Sequence, residues 1–518
     1  MWKCCQQPGG ASSSWEIPKY RRNPERAMKK TMSRGLSIFA LGFASALYTQ
    51  NALYAATTKP NILLILSDDH SLPHLGCYGS PNAITPKLDA FAAQGMRFTR
   101  AYTTAPQCAP SRASIFGGRS PVALRASRFP LPPKREHVFF TDVLRAHGYW
   151  VGLDGRSHHL AGRSAGIAHE NAGLAAAGLD YLGARFDYVE TRERGLVKKR
   201  PGDPFNETLD RVPAGKPFFL YFGFPQPHRA FDQQPAGKPM FDPARLQLPP
   251  DFPDLPEVRT DYANYLYTLY SLDTGFGILM NILEQRGLAR NTIVVLMGDN
   301  GESLLRGKGT LYERGNNVPL IVRWPGVVQP GSQSAALVSG EDLAGTLLEA
   351  VGLPVPNEMT SVSFLPALKG QSPSGREYVF TERGWHWGPL TRTDGLDFSR
   401  GITGERYKLI FNVLPDRAYT PVDMVKTEAW EAVVKAGQAN TLSPLHRRLL
   451  LQRPRPVLEF YDLRTDPHEL NNLAGQKATR EIETKLRIEL SNWMVREGDF
   501  LPIPSLDYPN PDIGLEKP

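Results

Sequence analysis

Apolar runs of strand length, with few polar interruptions, recur along the chain. They are Asn61-Ile-Leu-Leu-Ile-Leu66, Lys216-Pro-Phe-Phe-Leu-Tyr-Phe-Gly-Phe224, Thr292-Ile-Val-Val-Leu-Met297 and Val318-Pro-Leu-Ile-Val-Arg-Trp-Pro325. A run that does not alternate predicts a strand buried on both faces, as in a parallel sheet. Tyr149-Trp-Val-Gly152 predicts a further strand. Between these runs the apolar period lengthens. Thr85 to Asp89 opens a helix that carries Leu88, Phe91 and Met96, and Phe139–His147 predicts a second. A third covers Asp261–Gly287, with Tyr262, Tyr265, Leu266, Leu269, Leu272, Phe276 and Leu279 on one face. Strands alternating with helices predict an α/β fold around a mostly parallel central sheet.

The pattern changes after about residue 370. Tyr407–Phe411 and Leu458–Tyr461 read as strands, and 478–497 as an amphipathic helix. The expected division is a targeting segment over 1–56, a catalytic α/β domain over 57–370, and a small C-terminal α+β subdomain with an antiparallel sheet over 371–518. Residues 160–215 carry no clear motif, and the proline-rich stretch 231–258 reads as a surface excursion. The insertion 416–456 carries Arg447, Arg448, Arg453 and Arg455; a solvated face is favoured over a reach into a pocket. No internal repeats are present.

Composition narrows the class. The 518 residues allow one large domain and a smaller one, and 41% hydrophobic with 22% charged residues is ordinary for a globular protein. The formal net charge of +8 is concentrated at the start. Lys3, Lys19, Arg21, Arg22, Arg26, Lys29, Lys30 and Arg34 face only Glu16 and Glu25 there. The remainder is close to neutral, which excludes a nucleic-acid footprint on the folded part. Met28-Lys-Lys-Thr31 followed by apolar Leu36–Leu47 and Ala52-Leu-Tyr-Ala55 reads as a signal segment, with translation starting at Met28 or Met32. The mature chain is then expected to be exported, periplasmic or secreted, without a stable membrane anchor.

Chemistry collects where the strands end. Asp68-Asp69 follows the first buried run, and Gly298-Asp299-Asn300-Gly301 follows the third. Open α/β sheets place ligands at the carboxyl ends of their strands. Adjacent carboxylates repel, so oxygen donors in this pattern point to a hard divalent cation, Ca²⁺ or Mg²⁺.

Cys108-Ala-Pro-Ser-Arg112, followed by Gly118-Arg119, resembles the type I sulfatase motif, and the resemblance extends over roughly residues 60–500. It implies the alkaline-phosphatase-like α/β sandwich. It also implies that a maturation enzyme oxidises Cys108 to formylglycine, whose hydrate is the nucleophile, aligned by Arg112. Asp68, Asp69, Asp299 and Asn300, with residue 108, would hold one Ca²⁺; Mg²⁺ is less favoured. A Cys77–Cys108 disulfide would consume the thiol to be modified, so a mature fold without crosslinks is expected.

Gly155-Arg156-Ser157-His158-His159-Leu160 departs from the family's Gly-Lys-x-His-Leu-Gly. Arg156 keeps the charge and offers a planar donor. His158 fills the histidine position by spacing and His159 by its following Leu, with His159 slightly favoured. Pro225-Gln-Pro-His228 and Gly307-Lys308-Gly309 resemble segments whose histidine and lysine meet the ester oxygen and the sulfate. The implied activity is hydrolysis of sulfate esters on a sulfated carbohydrate. Alternatives are an N-sulfoglucosamine sulfohydrolase, a phosphate or phosphonate monoester hydrolase, and an inactive glycan-binding protein. Arg406–Asn412 and Asp466–Leu473 resemble the heparan N-sulfatase branch. The oligomeric state stays open.

Overall fold

The computed structural model describes residues 59–128, 133–160, 185–190, 202–235, 237–371, 375–386 and 395–501, and residue 176. The expected targeting segment, with Met28, lies outside the described residues, as does much of the motif-poor stretch 160–215. Among the described residues no helix is long and apolar enough to cross a membrane.

The buried runs form the centre of the main sheet. Its strands are β1 (Asn61–Ser67), β2 (Met96–Phe98), β4 (Trp150–Asp154), β5 (Tyr188–Val189), β6 (Phe218–Phe224), β7 (Thr292–Gly298), β8 (Leu320–Arg323) and β9 (Ser332–Ser334), in the order β5-β4-β6-β1-β7-β8-β2-β9. From β5 to β7 all pairs are parallel; β8 runs antiparallel to both neighbours. β3 (Ala101–Tyr102) and β10 (Val338–Ser339) pair separately.

Successive side chains of a strand point to opposite faces, so an apolar run supplies two cores at once. Ile62, Leu64 and Leu66 of β1 join Ile293, Val295 and Met297 of β7 and Phe219 of β6 on one face. Ile115 and Phe116 of the helix Cys108–Gly117 pack there. Leu63 and Ile65 face the other way, with Val294, Leu296 and Leu220, against Leu269, Leu272, Phe276 and Leu279 of the helix Pro256–Gln285. The two layers thus fix the sheet ends where Asp68 and Asp299 emerge.

A second sheet, β11 (Val379–Arg383), β12 (Ser399–Thr403), β13 (Tyr407–Asn412) and β14 (Leu458–Asp462), is antiparallel throughout. The helix Arg480–Arg496 covers it through Leu486, Leu490 and Trp493, whose ring stacks on Phe380 at 5.2 Å. Buried Lys408 of β13 pairs with Glu313 (2.6 Å) and Glu469 (3.0 Å). The insertion folds into two helices, Glu428–Gln438 and Pro444–Leu451.

Candidate active site

Four sheet strands deliver side chains to one point at their carboxyl ends. Backbone bonds lock them there: the Asp299 amide donates to the Ser67 carbonyl at 3.0 Å, and the Asp68 amide to the Gln226 carbonyl at 3.1 Å. Asp68, Asp69 and Asp299 are fully buried. Asp69 turns into the left-handed region (φ 64°), and its amide donates to Asp299 Oδ1 at 3.0 Å.

Cys108 opens its helix directly over this cluster. Its Sγ lies 3.3 Å from Asp68 Oδ1 and 3.8 Å from Asp69 Oδ1. The helix stops at Gly118, whose left-handed φ of 61° lets its amide close on the Ser114 carbonyl, which explains the glycine in the motif. Ser111 Oγ donates to the Asp299 carbonyl and accepts from Thr103. Arg112, with no exposed surface, donates to Asp299 Oδ2 from Nε (2.9 Å) and Nη2 (2.7 Å), and to the Tyr221 hydroxyl. A buried guanidinium needs such a set of acceptors. Cys77 and Cys108 are both free.

Cations close the remaining sides. Arg156, held left-handed at φ 48° after β4, pairs with Asp68 Oδ2. Lys308 Nζ lies 2.8 Å from Asp69 Oδ1 and 2.8 Å from Asp423 Oδ2. Its loop is anchored by the Lys308 amide on the Glu302 carbonyl (2.7 Å) and the Gly309 amide on the Pro106 carbonyl (2.9 Å). His228 Nε2 sits 3.8 Å from both Asp69 Oδ2 and Asp423 Oδ2, and the side chain is 24% exposed, at the mouth. His159, Cys108, Asp68 and Asp299 bring one ligand atom each within 4.8 Å of one another. His158 occupies the same short turn, Ser157–His159, but its side chain lies outside the described residues.

Electrostatics follow from this crowding. Burial would raise the Asp68 carboxyl, but Arg156 and Arg112 outweigh it and hold it well below the usual range. Burial pushes Asp299 up to about 7, with Arg112 opposing and Asp68 and Asp69 adding. Burial and Asp68 push the Cys108 thiol well above its ordinary value, so the thiolate is disfavoured. The donor set fits a divalent cation. Asn300 uses Nδ2 on Asp69 Oδ1 (2.8 Å) and the Gly301 carbonyl (2.9 Å), which leaves buried Oδ1 without a hydrogen-bond partner beside three carboxylates. Hard oxygen donors of this kind suit Ca²⁺ or Mg²⁺.

Residues 60–353 match the sulfatase family model, over half the chain. The chain belongs to the sulfatase family. Residues 301–453 also match the family described as N-sulphoglucosamine sulphohydrolase, C-terminal. An ulvan-active sulfatase of Formosa agariphila is 28% identical, over 86% of this chain and 82% of that protein. Human arylsulfatase A is 30% identical, over 63% and 71%. A solved structure holding its substrate D-glucosamine-2-N,6-O-disulfate superposes with a TM-score of 0.62 at 19% identity, over 86% and 99%. The fold is the alkaline-phosphatase-like one, and this sulfatase is a sulfuric ester hydrolase.

Asp423 and Tyr221 are the neighbours that sequence reasoning missed. Asp423 belongs to the insertion 416–456, where nothing in the sequence sets it apart from a solvated acid. Arg447 and Arg448 of the insertion bond backbone carbonyls at Gly437 and Leu470, and Arg455 pairs with Asp397. Tyr221 lies inside an apolar run and reads as core. His386 adds to the rim, 3.9 Å from Asp423 Oδ1 and 3.2 Å from Gln107, the residue before Cys108.

Proposed function

We propose that this sulfatase removes sulfate from a sulfated carbohydrate, in an exported form, with residue 108 as formylglycine and one Ca²⁺. The observation that carries the reading is the convergence of Cys108 with Asp68, Asp69, Asp299 and three cations, Arg112, Arg156 and Lys308, at the strand ends. The match of most of the chain to an ulvan-active sulfatase supports the carbohydrate.

Asp68, Asp69, Asp299 and Asn300 would hold the cation, with residue 108 as a further ligand. When bound, the cation polarises a sulfate oxygen and stabilises charge gathering in the transition state. The aldehyde hydrate of residue 108, made by a maturation enzyme, supplies the attacking oxygen that a buried protonated thiol does not. Arg112 fixes Asp299 and so the wall behind residue 108. Arg156 and Lys308 direct N–H donors toward the sulfate oxygens, in a pocket where water is scarce and such donors act strongly. His228, at the mouth, is placed to protonate the leaving alcohol. His159 beside Cys108, with His158 as its alternative, accepts the proton from the nucleophile. The catalytic part is assigned to 57–370, with 371–518 as a smaller subdomain closing its rim.

The match of 301–453 to the N-sulphoglucosamine sulphohydrolase C-terminal family supports an N-sulfo substrate as the second reading. A panel of defined O-sulfated and N-sulfated mono- and oligosaccharides, assayed for released sulfate with protein co-expressed with the maturation enzyme, tests both. Turnover of O-sulfated sugars supports the first reading, and turnover confined to N-sulfoglucosamine the second. Turnover of aryl sulfates alone would refute the carbohydrate assignment.

A further inference from the structure

Arg383, the last residue of β11, is 3% exposed. Among the described residues its side chain makes no hydrogen bond, and its single ion pair is the long one from Nε to Asp397 Oδ2 at 3.6 Å. A buried guanidinium carries five N–H donors and loses several strong bonds to water, so native proteins rarely leave one unmatched. The neighbouring acids are already engaged. Arg455 grips both oxygens of Asp397, at 2.8 and 3.0 Å. Glu459 accepts from Tyr312 (2.8 Å), Tyr461 (2.5 Å) and Asn412 (2.6 Å). Two arginines therefore share one carboxylate. Burial lowers the Arg383 pKa, Asp397 opposes this, and Arg455 adds to it.

Three arginines, Arg383, Arg448 and Arg455, against two carboxylates, Asp397 and Glu459, line a cavity between the Lys308 loop and the antiparallel sheet. Gly309 to Tyr312 form one wall, Arg383, Asp397 and Asn412 another, and Arg448 and Arg455 a third. The cavity does not include Cys108, yet Gly309 is the residue after Lys308, and a Cβ on it would collide with Arg383 Nη1. The loop that aims Lys308 into the site thus lies against Arg383 on its other side.

We infer that the Arg383–Arg455 cavity is a second oxyanion pocket, taking a sulfate or carboxylate group as a bidentate partner of Arg383. Planar guanidinium forks match such groups. The ion arrives as a further anionic substituent of the substrate or as free sulfate. The first source rests on the carbohydrate reading above.

The test uses the full chain with residue 108 converted, and compares wild type, Arg383→Met and Arg383→Lys. One substrate is 4-nitrocatechol sulfate, with a single sulfate; the other is a sulfated disaccharide that also carries a second sulfate or a uronate. A substrate-borne anion predicts a KM for the disaccharide raised about tenfold in Arg383→Met, partly rescued in Arg383→Lys, with kcat and KM for the aryl ester within about twofold of wild type. Thermal melting in added sodium sulfate provides the second arm, and free sulfate predicts a larger stabilisation of wild type than of Arg383→Met. A difference in this arm with no KM effect assigns the pocket to the free ion. Failure to cleave any sulfated sugar sinks the carbohydrate reading and leaves the melting arm to decide the pocket. Equal sulfate stabilisation of both proteins, with no selective KM effect on the disaccharide, overturns the inference.

Discussion

Asp423 lies far from the motif residues in sequence, yet its Oδ2 is 2.8 Å from Lys308 Nζ, at the edge of the site. Val422, beside it, is held by Ser303 Oγ on its carbonyl at 3.2 Å, and Met424 is anchored in a buried cluster. The carboxylate is thus positioned by packing on both flanks. A charge-assisted hydrogen bond contributes about 1.5–3 kcal/mol. The Asp423 side chain is 33% exposed, so solvent screening reduces this to about 1–2 kcal/mol. If Asp423 orients Lys308 toward sulfate, Asp423→Asn lowers kcat/KM roughly five- to thirtyfold. Residue 423 is then a positioning residue, and its effect must pass through the lysine. The assay is a double-mutant cycle with Lys308→Ala on 4-nitrocatechol sulfate. In the Lys308→Ala background the further loss from Asp423→Asn should nearly vanish, giving a coupling of about 1–2 kcal/mol. Equal losses in both backgrounds, or no loss in wild type, would refute the reasoning.

Three further outcomes follow from the same geometry. Arg156→Ala should lower turnover about a hundredfold, the equivalent of about 3 kcal/mol, and Arg156→Lys far less, in steady-state assays with 4-nitrocatechol sulfate; near wild-type rates in Arg156→Ala would exclude it from the sulfate. Gly309 has φ 78° and no room for a Cβ against Arg383 and Val422, so Gly309→Ala should cost about 1–3 kcal/mol in denaturant unfolding and displace Lys308; an unchanged midpoint and rate would contradict the close approach. Burial pushes Glu382 up to about 7, with Arg400 opposing. Between about pH 4.5 and 7 the folded state then keeps a proton that the unfolded chain releases, so stability falls as pH rises, by up to about 1.4 kcal/mol per unit. Glu382→Gln should flatten that slope in melting curves taken across the window.

The parts legible in the sequence are those set by local pattern. Unalternating runs such as Asn61–Leu66 mark the sheet centre, because a strand buried on both faces leaves no place for polar side chains. The acids following β1 and β7 share one end of the sheet because those strands are adjacent and parallel. Strand and helix ends shifted by a few residues, as at Phe140–Ala146 and Trp150–Asp154, where caps and register decide the limits. Asp423 and His386 could not be read this way. Each reaches the rim from a segment far along the chain, and nothing local distinguishes a rim carboxylate from a solvated one. The insertion's many arginines pointed to its basic character, whereas the residue it brings to Lys308 is an acid. Tyr221 is hidden by good packing: its ring belongs to the core, while its hydroxyl accepts from Arg112, whose guanidinium lies 5.9 Å from the ring centroid.

The central claim is that residue 108, converted to an aldehyde, is the nucleophile. The direct measurement follows sulfate release from a sulfated oligosaccharide across preparations that differ in co-expression of the maturation enzyme. In each, mass spectrometry of the peptide spanning residue 108 gives the fraction converted. The account predicts a rate proportional to that fraction, with no turnover when only the thiol is present. Full turnover by protein carrying unmodified Cys108 would contradict it.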